Sequence, residues 1–453
     1  MFLLFLETTS MVRFRQMKDR EYIPQKTYLK LMIGGSLSLS KVLLTSPGDL
    51  KKLRTMHCSS YRWIVLLLFM VVALLSQLLW LTFAPISSEI VQLFHVNAFD
   101  VSLLSLVWPI IFVIFAIPVG IFIDKKGFKI SVRVGAVFIA VFSVLRVFST
   151  INNYNFALLL ISQIGAAVSQ PFIFGSITKL AVSWFPEKEQ GLATGLGTIG
   201  LFLGMMLALV LTPILYLTFG ITKMLVILAL ISCAGTFLFF IFAREGKVVD
   251  IKEASSSFTI KDLWTLSKKR DFTILEYCFF VCVGGFTAIL TWLEVMLNSL
   301  HGVDIDQAGI AGGLMIVGGV IGSIAIPALS DKLKKIKTLI LLDLAIGTIA
   351  FYFIGIFKEF LLLTVICFVI GFFLMSALPL VLQISNRIAG LGMEGRASSL
   401  LWFFSQLGSI FFIAIIEPVK SIWGSYYSSI ILIVILWALA FFLFTIIKEV
   451  KVT

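Results

Sequence analysis

The sequence predicts an all-α membrane protein, with twelve transmembrane helices in two pseudo-symmetric six-helix bundles. Three observations predict it. Of 453 residues, 59% are hydrophobic and only 13% charged, with a mean hydropathy of +1.06. So few charges do not cover the surface of a soluble domain of this size. Apolar segments of about 20 residues, the length that crosses a bilayer, recur along the chain between short polar loops. Finally, the pattern Gly120-Ile-Phe-Ile-Asp124-Lys125-Lys126-Gly127-Phe-Lys129 returns 207 positions later in weaker form, as Pro327-Ala-Leu-Ser-Asp331-Lys332-Leu-Lys334-Lys335. Each copy lies between two apolar segments near the same point of its half, which points to a duplicated membrane unit.

In chain order, residues 1–60 differ from everything after them. The first 55 carry ten Lys/Arg against four Asp/Glu, a net of +6 out of a total of +12. The apolar run Met1–Leu6 is too short for a signal-sequence core, and Met56 is a natural start. We read this stretch as a disordered cytoplasmic extension or an over-called start. Spans are expected near 63–84, 101–123, 130–149, 155–178, 191–217 and 221–243, forming an N-terminal bundle over 61–243. A polar linker covers 244–270. Spans near 271–297, 306–329, 337–357, 360–383, 397–417 and 424–447 form a C-terminal bundle over 271–447, followed by a tail at 448–453.

Charge sets the expected orientation. Lys125, Lys126, Lys129, Arg133, Lys179 and Lys188 fall on one side, together with the basic linker and Lys332 to Lys337. The opposite loops 85–100 and 298–305 lack Lys and Arg but hold Glu89, Asp100 and Asp304. By the positive-inside rule both termini and the linker are cytoplasmic. The basic excess is therefore a matter of topology, and no nucleic acid is expected as a partner. Cys58, Cys233, Cys278, Cys282 and Cys367 show no metal or redox spacing and read as small apolar packers. His57, His95 and His301 are scattered. No nucleophile–base set or metal cluster appears, so catalytic residues, a metal and a cofactor are all expected to be absent, and the chain is not expected to be an enzyme.

Polar residues inside the spans mark the expected path of a solute, because in a bilayer they must face protein or water. Gln163 and Gln170 lie seven apart in the fourth span. Thr287, Thr291, Glu294 and Asn298 form a stripe at helical spacing in the seventh. Gln77 and Trp80 lie three apart in the first span, with Ser87 continuing the face, and Gln383 and Asn386 sit in the tenth. The stripe makes Glu294 the candidate for proton coupling. Arg146 and Asp343, in the third and ninth spans, read as structural.

Two halves of six spans, with Gly120, Asp124, Lys125, Gly127 and Lys129 in the loop after the second, resemble the major facilitator superfamily of transporters over about residues 61–447. Trp184-Phe185-Pro186 and Glu189 to Gly195 resemble the family's next loop, with Gln190 where arginine is usual. The resemblance implies that the first, fourth, seventh and tenth spans line a central cavity. It also implies a cytoplasmic gate of Gly120, Asp124, Lys125, Gly127, Lys129, Asp331 and Lys332, in which Asp124 faces the start of the eleventh span near Arg396 and Asp331 faces Gly191 and Leu192. Gly120 would let the second span approach a neighbour closely. Ser76 to Trp80, Gln170-Pro171-Phe172 and Ser405 to Gly408 look like the feline leukaemia virus subgroup C receptor family, which is associated with choline, ethanolamine or haem. That likeness implies a cation–π role for Trp80 and a solute contact for Gln406. Thr287 stands where a tyrosine is expected and Phe202 where a glutamine is. The expectation is thus a monomeric secondary transporter of the plasma membrane. It moves a small organic solute by alternating access, contacted by Gln77, Trp80, Gln163, Gln170, Thr287, Thr291, Gln383 and Gln406. A transporter-like sensor and a lipid translocase are the alternatives.

Overall fold

The computed structural model describes residues 61–151, 153–246, 266–389 and 394–447. The expected N-terminal extension, most of the linker and the tail lie outside the described residues. The elements are α1 (Tyr61–Leu81), α2 (Ser87–Phe94), α3 (Ala98–Phe148), α4 (Phe156–Ala167), α5 (Ser169–Trp184), α6 (Glu187–Phe242), α7 (Arg270–His301), α8 (Ile305–Leu333), α9 (Ile336–Ile354), α10 (Phe360–Ala389), α11 (Glu394–Trp423) and α12 (Tyr426–Ile446). Taking α1 with α2 and α4 with α5, ten helical segments are long and apolar enough to cross a membrane. Their outward faces carry Leu67, Ile121, Val141, Ile161, Leu230, Phe237, Leu361 and Phe442, all exposed. Such a face is stable only against lipid tails.

The sequence expects twelve spans where the structure shows ten segments. The difference arises at two glycines. Gly127 (φ 81°) interrupts the 51-residue α3, and Gly220 (φ 74°) interrupts the 56-residue α6. Positive φ is strained for any residue with a Cβ, so glycine is what allows the chain to change direction there within a residue. At about 1.5 Å rise per residue an unbroken α3 would be more than twice the ~30 Å of bilayer hydrocarbon.

Helix starts follow local chemistry. Asn97 and Asp100 form a capping box at α3, with bonds of 2.8 and 3.1 Å. Asn155 accepts from the Leu158 amide at the start of α4 (3.0 Å), and Ser425 caps α12. Each cap satisfies an amide that has no partner within its helix.

Packing pairs α1 with α6, α3 with α4 and α5, α7 with α11, α8 with α10, and α9 with both α10 and α12. The most extensive contacts between the halves are α6 with α8 and α3 with α11. The closest approaches rest on glycine. A Cβ at Gly371 of α10 would collide with the Met315 carbonyl of α8, and one at Gly408 of α11 with the Phe280 carbonyl of α7. Gly120 is a correction to expectation, because a Cβ there would meet nothing within 4 Å. In this structure no other helix lies against that position.

Candidate functional site

Polar residues of the first and fourth spans meet where α1 and α5 pack, with α6 close against α1. The hydroxyls of Ser76 and Ser169 lie 3.3 Å apart and tie α1 to α5. One position further on, Gln77 is fully buried, and neither end of its amide has a hydrogen-bond partner. Gly204 of α6 brings that helix onto α1 at this level: a Cβ there would sit 2.8 Å from the Gln77 Cβ and would clash with the Leu74 carbonyl. Gln170 is 3% exposed, and its Oε1 is likewise unpaired. A buried amide without a partner costs about 1–3 kcal/mol, and such groups in a native fold call for an explanation.

Trp80 is buried, and its indole Nε1 donates to the Ser105 carbonyl of α3 (3.2 Å). With its N–H used in this way, what remains for recognition is the ring's π-system. Gln163 is placed differently from Gln77. Its Oε1 accepts from the Arg146 guanidinium, and its Nε2 donates to the Leu104 carbonyl (3.0 Å). Arg146 also donates to the Leu79 carbonyl (2.9 Å) and lies over the Phe83 ring, 5.5 Å from its centroid. Gln163 therefore belongs to a buried polar cluster with Arg146 and the Leu104 carbonyl.

In the second half, Thr287 and Thr291 donate to the carbonyls of their own helix, Val283 (2.9 Å) and Thr287 (3.0 Å). Gln383 and Gln406 are half-buried. The side chain of Asn386 is outside the described residues. Glu294 crosses between the halves, accepting from the Ser88 amide at the start of α2 (3.1 Å), while its Oε1 has no partner. The sequence offered no sign of a row of rings linking the halves. Phe174 of α5 stands 6.4 Å from Trp402 of α11, which stands 6.1 Å from Phe279 of α7, both edge-on. Aromatic residues are common throughout the chain, so only the fold singles out these three.

At the end bearing the basic loops, Asp124 pairs with Lys179 at 3.4 Å, and its side chain is 79% exposed. The helix start that follows Gly127 is capped by Glu245, whose carboxylate accepts from the Lys129 amide (3.2 Å). A Cβ on Gly127 would lie 2.8 Å from that carboxylate, so this position requires both positive φ and the absence of a side chain. Partial burial raises the Glu245 carboxyl above its ordinary value, opposed by the bond from the Lys129 amide and the charge of Lys129. Lys125, Lys126 and Lys332 are exposed, and the Asp331 and Arg396 side chains lie outside the described residues. Gly191, the expected partner of Asp331, has open space around it. Arg62 pairs with Glu189 at 2.8 Å, joining the starts of α1 and α6.

The model of the Major Facilitator Superfamily matches residues 66–413. An uncharacterized protein of Archaeoglobus fulgidus is 38% identical over 173 residues, which are 38% of this chain and 79% of that protein. A choline/ethanolamine transporter of Danio rerio is 25% identical over 397 residues, covering 83% of this chain and 84% of the relative. Among solved structures, the fold is similar to a bacterial homolog of the human lysosomal transporter Spinster, crystallised inward-facing and unoccupied. The TM-score is 0.68 at 15% identity, over 85% of this chain and 96% of that one.

Proposed function

The chain belongs to the major facilitator superfamily of membrane transport proteins, and on that premise we propose that it is a secondary transporter moving a small organic cation of the choline or ethanolamine type by alternating access. The observation that carries this reading is Gln77, a fully buried amide with both ends unpaired, three positions before Trp80. A quaternary ammonium needs no carboxylate partner. An aromatic face and amide oxygens recognise it, and the chain aligns with choline/ethanolamine transporters over most of its length.

Alternating access in this reading uses twelve crossings, with the chain turning at Gly127 and Gly220. The pairings of helices support two related halves. With α3 and α6 divided at those glycines, α1 against α6 corresponds to α7 against α11, and α3 against α5 corresponds to α8 against α10. The two largest contacts between halves, α6–α8 and α3–α11, exchange under the same relation. Glu294 on the Ser88 amide would hold one end closed, while Asp124, Lys125, Gly127, Lys129, Asp331 and Lys332 frame the other, which we read as cytoplasmic in a plasma membrane.

The test is uptake of labelled choline and ethanolamine by the reconstituted protein, in wild type and in Gln77→Leu. Losing one solute hydrogen bond of about 1–3 kcal/mol is expected to raise KM by roughly 5- to 150-fold. The same substitution removes an unpaired buried amide, so the empty protein should unfold at a higher temperature. Unchanged KM with raised stability would show that Gln77 does not touch the solute, and no uptake of either cation would remove the substrate assignment. For the gate, Asp124→Asn is expected to slow transport while leaving ligand-induced thermal stabilisation intact; an unchanged rate would exclude Asp124 from gating.

A further inference from the structure

Asp343 of α9 is 1% exposed, and neither carboxylate oxygen has a hydrogen-bond partner. It shares a helix face with Ile340, Leu344 and Gly347. Ile340 and Leu344 line an apolar crevice with Leu374 and Ala377 of α10 and Cys278 and Cys282 of α7. Among the described residues, the titratable and polar groups of the surrounding helices are engaged elsewhere, uncharged or turned to the exposed surface. On α9 itself, Lys337 donates to the carbonyls of Thr445 (2.7 Å) and Ile447 (2.6 Å). On α10, Ser376 lies beside Asp343 but donates to the Phe373 carbonyl (2.7 Å), and Cys367 is a buried thiol. On α7, Glu276 accepts from Ser267 (2.5 Å), Tyr277 points its hydroxyl to the Leu436 carbonyl, and Cys278 and Cys282 are free thiols. On α12, Trp437 donates to the Val281 carbonyl (2.7 Å). Lys332 at the end of α8 and Lys334 just beyond it are exposed.

An ionised carboxylate in such surroundings costs several kcal/mol even after relaxation. A neutral carboxylic acid costs only what an unsatisfied hydroxyl and carbonyl cost. A bound metal cation is a poor alternative, since hard cations take six or more oxygen ligands, whereas the Ser376 hydroxyl is the one such group placed beside the carboxyl among the described residues. We propose that Asp343 is a proton-binding site, a carboxylic acid in this conformation that releases its proton when the seam between α9 and α10 admits water. Proton release then accompanies a movement of these helices. Alkaline pH favours the hydrated, ionised arrangement, and acidic pH favours the one described here.

The experiment is infrared difference spectroscopy of the full chain in liposomes, between acidic and alkaline pH, for wild type and Asp343→Asn. Wild type is expected to show a protonated-carboxyl band that vanishes at alkaline pH, and Asp343→Asn to lack it. Identical difference spectra for the two proteins would overturn the site. Should Asp343→Asn fail to fold, Asp343→Glu keeps the acid and is expected to shift the band; an unshifted band would overturn the proposal equally. No solute is added, so the outcome is independent of whether choline is the substrate.

Discussion

Replacing Gln163 by leucine is expected to destabilise the folded protein by about 3–5 kcal/mol, the scale seen when one partner of a buried charge is removed. Arg146 is 1% exposed, and Gln163 Oε1 is one of the few acceptors facing its guanidinium, with the Leu79 carbonyl at 2.9 Å and Thr82 Oγ1 at 3.5 Å. Leucine removes that acceptor and also strips the Leu104 carbonyl of its 3.0 Å donor. Denaturation in detergent reads the loss directly. The double variant Arg146→Met with Gln163→Leu is expected to recover most of it, because buried ion clusters replaced whole by apolar groups are often neutral. If Gln163 served the solute instead, the single variant would keep its stability and change only the KM of transport.

Gly371→Val is expected to be the most damaging change between helices. A Cβ at this position collides with the Met315 carbonyl, a backbone atom that cannot rotate aside, so α8 and α10 must separate. Overpacking of a core costs about 1–3 kcal/mol when side chains can adjust, and the fixed obstacle here places the expected loss at or above about 3 kcal/mol. Thermal unfolding followed by size-exclusion chromatography measures it. Gly191→Ala is the control, since it meets nothing within 4 Å and sits inside α6. It should be neutral or stabilising by up to about 1 kcal/mol, as the alanine removes backbone freedom from the unfolded chain. Equal damage from both variants would show that glycine flexibility, and not close approach, is what the helices need.

Much of the membrane architecture was legible from segment composition. The apolar spans fall along the ten long apolar segments of the structure, and the residues around Asp124 and Trp184 carried the resemblance to the superfamily that the matched family model shows. The breaks were less legible. Gly127 was singled out as part of a charged loop, yet it interrupts α3 at one residue with φ 81° and receives the Glu245 carboxylate, which is 118 positions away in sequence. The polar stripe was legible as a pattern but not as a function. Gln77, Gln163 and Gln170 share a residue type, and the last two lie seven apart on one helical face. The first has no partner, the second holds Arg146, and the third has one bare oxygen.

By itself the sequence determined that the chain is a multi-pass membrane protein, roughly where its helices run, and which superfamily its loops resemble. Hydropathy decides these things because the transfer of a segment into hydrocarbon depends on that segment's own side chains and on the internal pairing of its backbone. Only the tertiary structure decided which buried polar groups are satisfied and which stay bare. Glu294 finds an amide 206 positions earlier, at Ser88. Phe174 finds Trp402 across the middle of the chain. Asp343 finds only the neighbouring Ser376 hydroxyl, which donates to the Phe373 carbonyl and leaves both carboxylate oxygens bare. Such pairings depend on how closely whole helices approach, which is set by residues such as Gly204, Gly371 and Gly408. A hydrogen bond fails within an ångström of misplacement, whereas burial in a bilayer tolerates several.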